Sequence, residues 1–325
     1  MGVIQRMISG LAVALALGLG LGVACLFAAV MAQGGRFSPR LDLLTHFAPF
    51  WLAGALVALA CGLAVSSSAW RPVILAVAGL GVVAAAALIA PEMLRPIRPV
   101  VPADAGREIK LIQLNAWNEN VDVEGTADWI ARQNPDLVLV EEVEEPIRRA
   151  LIKRGFHYAR GMVRTAIFSR VAESPPPFFI AEPDWHVLPP FARATFDGPD
   201  GSFSVISTHF TWPTKGFQRG QARALDVLVH RYDTRRLILA GDFNLTPWSF
   251  ALRRIDRDYG LERRDRAMFS WPARPFLGGH LQSPAAFLPI DHIYAGAAWR
   301  TVKIERGPRL GSDHYPVMIT LALTD

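Results

Sequence analysis

Five short strand-like runs in this chain end on polar side chains. "LIQL" runs into Asn115, "LVLV" into Glu141 and Glu142, "VIST" into His209, "LILAG" into Asp242 and Asn244, and "LPI" into Asp291. A further stretch, "GSDHYPV", carries Asp313 next to His314. Carboxylates, amides and imidazoles are the groups that move protons, hold hard cations and bond developing negative charge. Placed on loops at strand ends they are carried by a rigid scaffold, where catalytic groups tend to collect. Each also has a structural reading when taken alone. Asp-Phe-Asn after a strand forms turns readily, because Asp and Asn side chains bond their own backbone. His209 reads as a core histidine, Glu142 as a surface acid beside Glu144 and Glu145, and "SDH" as a helix cap. Their joint occurrence in one domain is what calls for chemistry.

The elements that must position these residues can be read from hydrophobic spacing. "EIKLIQLNAW" (108–117), "DLVLVEEV" (136–143), "TAIFSR" (165–170), "FARATFD" (191–197) and "FSVISTHF" (203–210) predict strands, as do "RLILAGDF" (236–243), "IDHIYAG" (290–296) and "VMITLAL" (317–323). Helical spacing falls on "VEGTADWIARQNP" (123–135), "EEPIRRALIKRG" (144–155) and "GQARALDVLVHRYD" (220–233). Several strands meet no intervening helix. That mixture predicts a two-sheet α/β sandwich for 108–325 in preference to a regularly wound parallel sheet. His292 follows Asp291 on its strand, so its side chain is expected on the opposite face.

The first 91 residues differ in kind. No charged side chain occurs between Arg6 and Arg36, between Phe47 and Trp70, or between Pro72 and Pro91. Each gap has roughly the 20 apolar residues that a helix needs to cross the hydrocarbon core. Three transmembrane helices are predicted, at about 8–31, 48–68 and 72–91, followed by a proline-rich linker over 92–107. A cleaved leader would account for the first stretch only. The expected location is a bacterial-type inner membrane, multi-pass. Counting positive flanks favours a cytoplasmic catalytic domain and the lack of cysteine there suits the periplasm, so the side stays open.

Composition excludes some chemistry. The only cysteines, Cys25 and Cys61, lie in the apolar stretches, so the remainder has no thiolate nucleophile, Cys-ligated zinc or disulfide framework. Lys and Arg total 34 with only four lysines, and the net charge is +5. An arginine fork suits phosphate, although charge alone does not choose between nucleic acid and lipid head group.

In order and spacing, "LNAW", "PDLVLVEEV", "TAIFSR", "STHF", "GDFN", "PIDHI" and "GSDHYPV" resemble the endonuclease/exonuclease/phosphatase superfamily, which includes pancreatic deoxyribonuclease, exonuclease III, neutral sphingomyelinases and inositol polyphosphate 5-phosphatases. The resemblance implies a deoxyribonuclease-like sandwich of four layers over 108–325. The layout of membrane helices ahead of this domain is similar to VanJ-type bacterial members. At two positions the chain departs from the family's pattern: Trp117 replaces a second Asn or Asp, and Glu141 replaces the common Gln before the metal-binding Glu.

What the resemblance implies is a magnesium-dependent phosphoesterase, with manganese as the alternative ion. Glu142 and Asp313 would hold the metal. Asp242 would deprotonate the attacking water, Asn244 would bond a phosphoryl oxygen, and Asn115 would position Asp242 or the phosphate. His314, paired with Asp291 or a nearby acid, and His209 would stabilise the charge that builds on phosphorus oxygens, and one of the two could give a proton to the leaving oxygen. In-line displacement needs a base, donors or a cation around the equatorial oxygens, and charge relief at the leaving group; all the residue types are present.

The family cleaves phosphodiesters and phosphomonoesters, so the motifs leave the substrate open. The predicted anchor and the aromatic, basic loops "TWPTKGFQRG" (211–220) and "MFSWPARPF" (268–276) point to a lipid or polyprenyl phosphate at a bilayer. A membrane-tethered nuclease is the alternative, since the same loops could stack on bases. A non-catalytic membrane-anchored binding protein is the third reading, against which the complete motif set stands. Oligomeric state is not legible.

Overall fold

A computed structural model describes residues 2–65, 68–103, 106–175, 187–198, 200–274 and 283–324. Residues 66–67 of the expected second span, 104–105 of the expected linker and 275–276 of the second aromatic loop lie outside the described residues. The chain forms two compact units, one of Met1–Arg95 with Pro247–Arg253 and the other of Pro96–Thr246 with Arg254–Asp325.

The first unit contains three long helices, α1 (Gly2–Gln33), α2 (Ala48–Ala64) and α3 (Arg71–Met93). Uninterrupted Ala, Leu, Val and Gly explain their length, and α3 continues past Pro91 before it ends. Their packing puts small residues inside and large ones outside: Ala29, Ala55, Ala58, Ala78 and Ala85 are fully buried, while Phe27, Leu56, Leu63, Leu80 and Val83 are exposed. In water such an arrangement would waste apolar burial, whereas small contact residues are how helices pack closely in lipid. Three helical spans, Ala12–Arg36, Pro39–Ala64 and Arg71–Met93, are long and apolar enough to cross a membrane, with mean hydropathies of 2.5, 1.9 and 2.7. Pro247–Arg253 packs with this unit. The Asp42 carboxylate accepts from the N–H groups of Phe250 (2.8 Å) and Ala251 (2.9 Å), and Trp248 Nε1 donates to the His46 carbonyl (3.1 Å).

The second unit is built on two sheets. One has six strands in the order β10-β11-β1-β2-β4-β3, and the other has five in the order β5-β6-β7-β9-β8. The strands are β1 (Arg107–Asn115), β2 (Leu137–Glu141), β3 (His157–Arg160), β4 (Ala166–Ser169), β5 (Phe191–Phe196), β6 (Phe203–His209), β7 (Leu237–Asp242), β8 (Glu262–Arg263), β9 (Asp291–Ala295), β10 (Trp299–Arg306) and β11 (Val317–Leu323). Parallel pairs occur at β1–β2, joined through helix α4 (Val123–Arg132), and at β6–β7, joined through α5 (Gln218–Val229). The neighbouring pairs are antiparallel, which gives the mixed sheets that the sequence pattern predicts.

Alternation along the strands divides the core. Leu111, Leu137, Leu139, Val205, Ile238, Ala240 and Ile293 meet between the sheets. Ile112, Leu114, Val138 and Val140 face the other way, onto Ala127 and Ile130 of α4 and onto Ile147 and Leu151 of the helix Glu145–Lys153. Burying each large aliphatic side chain stabilises the fold by about 1.5–3 kcal/mol, so both layers hold the strands in register. That register positions the functional residues.

Candidate active site

At one end the inter-sheet core turns polar on five strands. Two-residue steps run Leu111, Gln113, Asn115 on β1; Leu137, Leu139, Glu141 on β2; and Val205, Ser207, His209 on β6. On β7 they run Ile238, Ala240, Asp242, and on β9, which is antiparallel to β7, Ile293 is preceded by Asp291. Register completes the arrangement. His209 pairs with Asp242, Asp242 with Asp291, and Asn115 with Glu141, so three functional side chains form one row across a sheet.

Backbone shape at the strand ends is unusual in the same places. Gly241 has a positive φ, and a Cβ there would lie 1.8 Å from the Thr208 carbonyl oxygen, so only glycine lets β7 approach β6 just before Asp242. Trp117, Glu142 and Asn244 adopt φ values of 60°, 53° and 51°. Left-handed backbone at non-glycine residues costs on the order of 1 kcal/mol and persists where surrounding contacts enforce it. Here those contacts are hydrogen bonds to the site: Trp117 N donates to Asn115 Oδ1 (3.0 Å), Asn118 N to Glu142 Oε2 (3.2 Å) and Asn244 N to Asp242 Oδ1 (2.8 Å).

The side chains expected from sequence are brought together. Asn115 Nδ2 donates to both Glu142 Oε1 and Asp242 Oδ2, each at 3.1 Å. His209 Nε2 lies 3.6 Å from Asp242 Oδ2 and 3.9 Å from Glu142 Oε1. His314 Nδ1 bonds Asp291 Oδ2 at 2.8 Å, and its Nε2 lies 3.7 Å from Asp242 Oδ2 and 4.0 Å from Asp313 Oδ1. Asn244 Nδ2 donates to the Phe210 carbonyl (2.8 Å), and its buried Oδ1 has no hydrogen-bond partner among the described residues.

Residues that the motifs did not single out complete the network. Gln113 Nε2 donates to Glu141 Oε2 and to Asp291 Oδ1, both at 2.8 Å, and Ser207 Oγ donates to Glu141 Oε1 at 2.6 Å. Ser312 Oγ donates to the Asn115 carbonyl (2.6 Å) and accepts from His314 N (2.9 Å). Trp271 Nε1 donates to Asp313 Oδ2 (3.0 Å). Gln113 and Ser207 each stand two residues before an expected site residue, and strand alternation could have found them. Trp271 carries no such signal.

Electrostatics separates the two histidines. For His314, burial opposes charge, but Asp291 first, then Asp242 and Asp313, outweigh it and hold the imidazole well above its ordinary value. His209 moves the other way, lowered by burial and by the charge of His314 despite the attraction of Glu142. One histidine is thus set to be a cation and the other neutral. Burial pushes the Asp242 carboxyl up to about 8, against the pull of His314. Glu141 is driven well up by burial, with Ser207 and Gln113 opposing the rise.

The carboxylates also differ in access. Glu142 and Asp313 keep 26% and 18% of their side chains exposed, while Asp242 and Asp291 keep 2% and 0%. Asp313 Oδ1 accepts no hydrogen bond among the described residues, and oxygen donors of this kind fit a hard divalent cation. Asp242, Asp291 and His314 also offer ligand atoms within 4.8 Å of one another. In that triad His314 Nδ1 is already bonded to Asp291, which leaves Nε2 as the ring atom turned toward Asp242. Glu141 is fully buried, and each of its oxygens already accepts a hydrogen bond, from Gln113 and from Ser207.

Residues 112–314 match the family model described as the Endonuclease/Exonuclease/phosphatase family. Among solved structures, the chain is similar to the endonuclease/exonuclease/phosphatase from Bacteroides vulgatus, at 15% identity and a TM-score of 0.53, covering 67% of this chain and 99% of that one. The mannosyl-6-phosphatase of Bacteroides thetaiotaomicron VPI-5482 is similar at 16% identity and a TM-score of 0.50, covering 66% and 99%. TDP2 of D. rerio, complexed with single strand DNA product, gives 14% and 0.50, covering 66% and 98%. These likenesses establish the sandwich fold. No curated protein matches the sequence.

Proposed function

Because the chain belongs to the endonuclease/exonuclease/phosphatase family, whose members hydrolyse phosphoester bonds, we propose that it is a membrane-anchored, metal-dependent phosphoesterase that directs water at a lipid or polyprenyl phosphate. The observation that carries the reading is the Asn115 amide, which ties Glu142 and Asp242 together at 3.1 Å each. It sets a solvent-facing acid beside a buried one. Glu142 and Asp313 would hold the cation, with magnesium the natural choice for an all-oxygen donor set. Such an ion supplies positive charge to the phosphoryl and leaving oxygens.

The chain's own groups divide the remaining work. Asp242 would take a proton from water as the water oxygen bonds to phosphorus and the ester oxygen departs. Asn244 was expected to donate to a phosphoryl oxygen, but its unpaired atom is Oδ1, an acceptor. In this arrangement it would instead receive the second hydrogen of the attacking water and aim its lone pair. His314, whose Nε2 lies 3.7 Å from Asp242, would place its charge on the attacking side, beside an equatorial oxygen. Neutral His209, between Glu142 and Asp242, would add a further donor.

For the substrate, three observations favour an apolar leaving group at a bilayer. Three apolar helices in the same chain suit a multi-pass anchor in a bacterial-type inner membrane, and the layout resembles the VanJ type. Trp212 meets Trp271 edge to face at 5.7 Å, and Trp271 meets Phe287 at 5.8 Å. Since Trp271 also bonds Asp313, this apolar wall begins at the site itself. The second reading, a tethered nuclease, is favoured by the exposed rings of Trp212 and Phe217, which could stack on bases.

A substrate screen on the full-length chain in detergent, with magnesium, separates the two. Release of phosphate or head group from lipid substrates, with plasmid and oligonucleotide left intact, is expected. Plasmid nicking by wild type that Asp242→Ala abolishes, without lipid turnover, would reverse the choice.

A further inference from the structure

His292 neighbours Asp291 in sequence but faces away from the inter-sheet site, and it is fully buried. Its two ring nitrogens both meet acceptors. Nδ1 lies 2.7 Å from Asp265 Oδ2, and Nε2 lies 2.8 Å from the carbonyl oxygen of Leu245. Leu245 immediately follows Asn244 in the loop that presents Asp242. The ring also stands edge-on to Phe243, the residue between Asp242 and Asn244, with centroids 5.7 Å apart at 63°.

Behind His292 the structure continues through the buried charges of Asp265 and Arg263 to the half-buried Asp256. Asp265 Oδ1 accepts from Ile293 N (3.0 Å), and Arg263 Nη1 lies 3.5 Å from Asp265 Oδ2. Arg263 in turn bonds both oxygens of Asp256 at 3.0 Å, and Tyr294 OH donates to Asp256 at 2.7 Å. Burying this many charges is expensive unless each is paired, and such an array gains little stability over a well-packed apolar core. What it does provide is direction. A carboxylate held from two sides fixes the imidazole, and the imidazole fixes one carbonyl in the catalytic loop, much as an outer partner orients a metal-bound histidine.

We propose that His292 is a positioning residue for the proposed hydrolysis, bridging Asp265 to the Leu245 carbonyl and so fixing the loop that carries Asp242 and Asn244. Two consecutive residues of β9 then serve the site from opposite faces of one strand: Asp291 orients His314, and His292 holds the base from beneath. The inference rests on reading the site as a phosphoesterase.

Two amides dissect the bridge. In His292→Asn the amide nitrogen takes the place of Nδ1, keeping the bond to Asp265 and losing the loop. His292→Gln reaches as far as Nε2, keeping the loop carbonyl and losing Asp265. With the full-length chain in detergent, His292→Asn is expected to lower kcat by about 10- to 100-fold with KM little changed, because misplacing a catalytic group by about 1 Å costs that much. His292→Gln is expected to recover most of that loss. Tyr294→Phe, which removes only the hydroxyl bond to Asp256 and keeps the ring against Phe243, is the structural control, expected to lower Tm and leave kcat unchanged.

Equal kcat in His292→Asn and wild type overturns the proposal, as does an equal loss in the Asn and Gln variants. Should His292→Asn not fold, Asp265→Asn reads the same bridge, because an amide must set a donor against either Ile293 N–H or His292 Nδ1–H. A lowered kcat at unchanged KM supports the bridge, and an unchanged kcat overturns it. Wild type without activity on any phosphoester is a different result, and contradicts the phosphoesterase reading itself.

Discussion

His314 Nδ1 bonds Asp291 Oδ2 at 2.8 Å, and that contact orients the imidazole and is the largest of the attractions that favour its charge, ahead of Asp242 and Asp313. Asp291→Asn keeps the shape and removes the charge. Losing a charge-orienting partner of a catalytic histidine is expected to lower kcat by about 10²–10⁴-fold. The sign for the histidine follows directly: Asp291 raises it, so the variant loses the imidazolium at lower pH. In pH profiles of the residual activity the descending limb should shift to lower pH; an unmoved limb contradicts the assignment.

Asp242 acts as a base only when ionised. With its carboxyl raised to about 8 by burial, kcat/KM should climb as pH rises through that region. A cation at Glu142 and Asp313 favours the ionised form, so raising the metal concentration should move the ascending limb to lower pH. Profiles at two magnesium concentrations check this. An ascending limb that does not move between the two magnesium concentrations contradicts this account of Asp242 as the base.

Glu142 and Asp313 are the more accessible acids of the site, and removing either should act through the ion. Chelation should abolish turnover, with recovery on adding magnesium or manganese. Glu142→Ala should raise the metal concentration needed for half-maximal rate by about 10-fold or more, on the scale of perturbed metal sites. Titration of rate against magnesium measures it; an unchanged metal requirement in Glu142→Ala contradicts its role.

Glu141 gives a prediction about stability. Its folded-state value is raised well above that of an ordinary glutamate, chiefly by burial. The stabilisation linked to its proton is therefore fully present below the ordinary glutamate value and lost as pH rises toward the raised one. Glu141→Gln keeps one acceptor for Gln113 and can donate to Ser207, without the ionisation. Thermal unfolding should show this variant as stable as wild type at low pH and more stable at pH 8. A lower Tm at pH 8 contradicts the account.

Much of this was legible because short apolar runs end abruptly on polar residues. "LIQLN", "LVLVE" and "LILAGD" declare a buried strand and end it on a polar residue, so β1, β2 and β7 and their site residues follow from period and type. The helix Phe250–Asp258 was not legible: "FALRRIDRD" is heavily charged, and its first turn is held by Asp42, far away in sequence. Trp299–Arg306 escaped as well, since its register shifts between Thr301 and Lys303 and breaks the alternation. His292 shows a different limit. Alternation placed it on the far face, but its bonds to Asp265 and Leu245 depend on loop paths that no local pattern encodes.

The most direct test of Asp242-directed water attack is hydrolysis of a polyprenyl phosphate by the full-length chain in water enriched in oxygen-18, with magnesium present. The released phosphate should carry one labelled oxygen per turnover in wild type, and Asp242→Asn should release none above background. Unlabelled phosphate, or labelled phosphate released equally by Asp242→Asn, would contradict it.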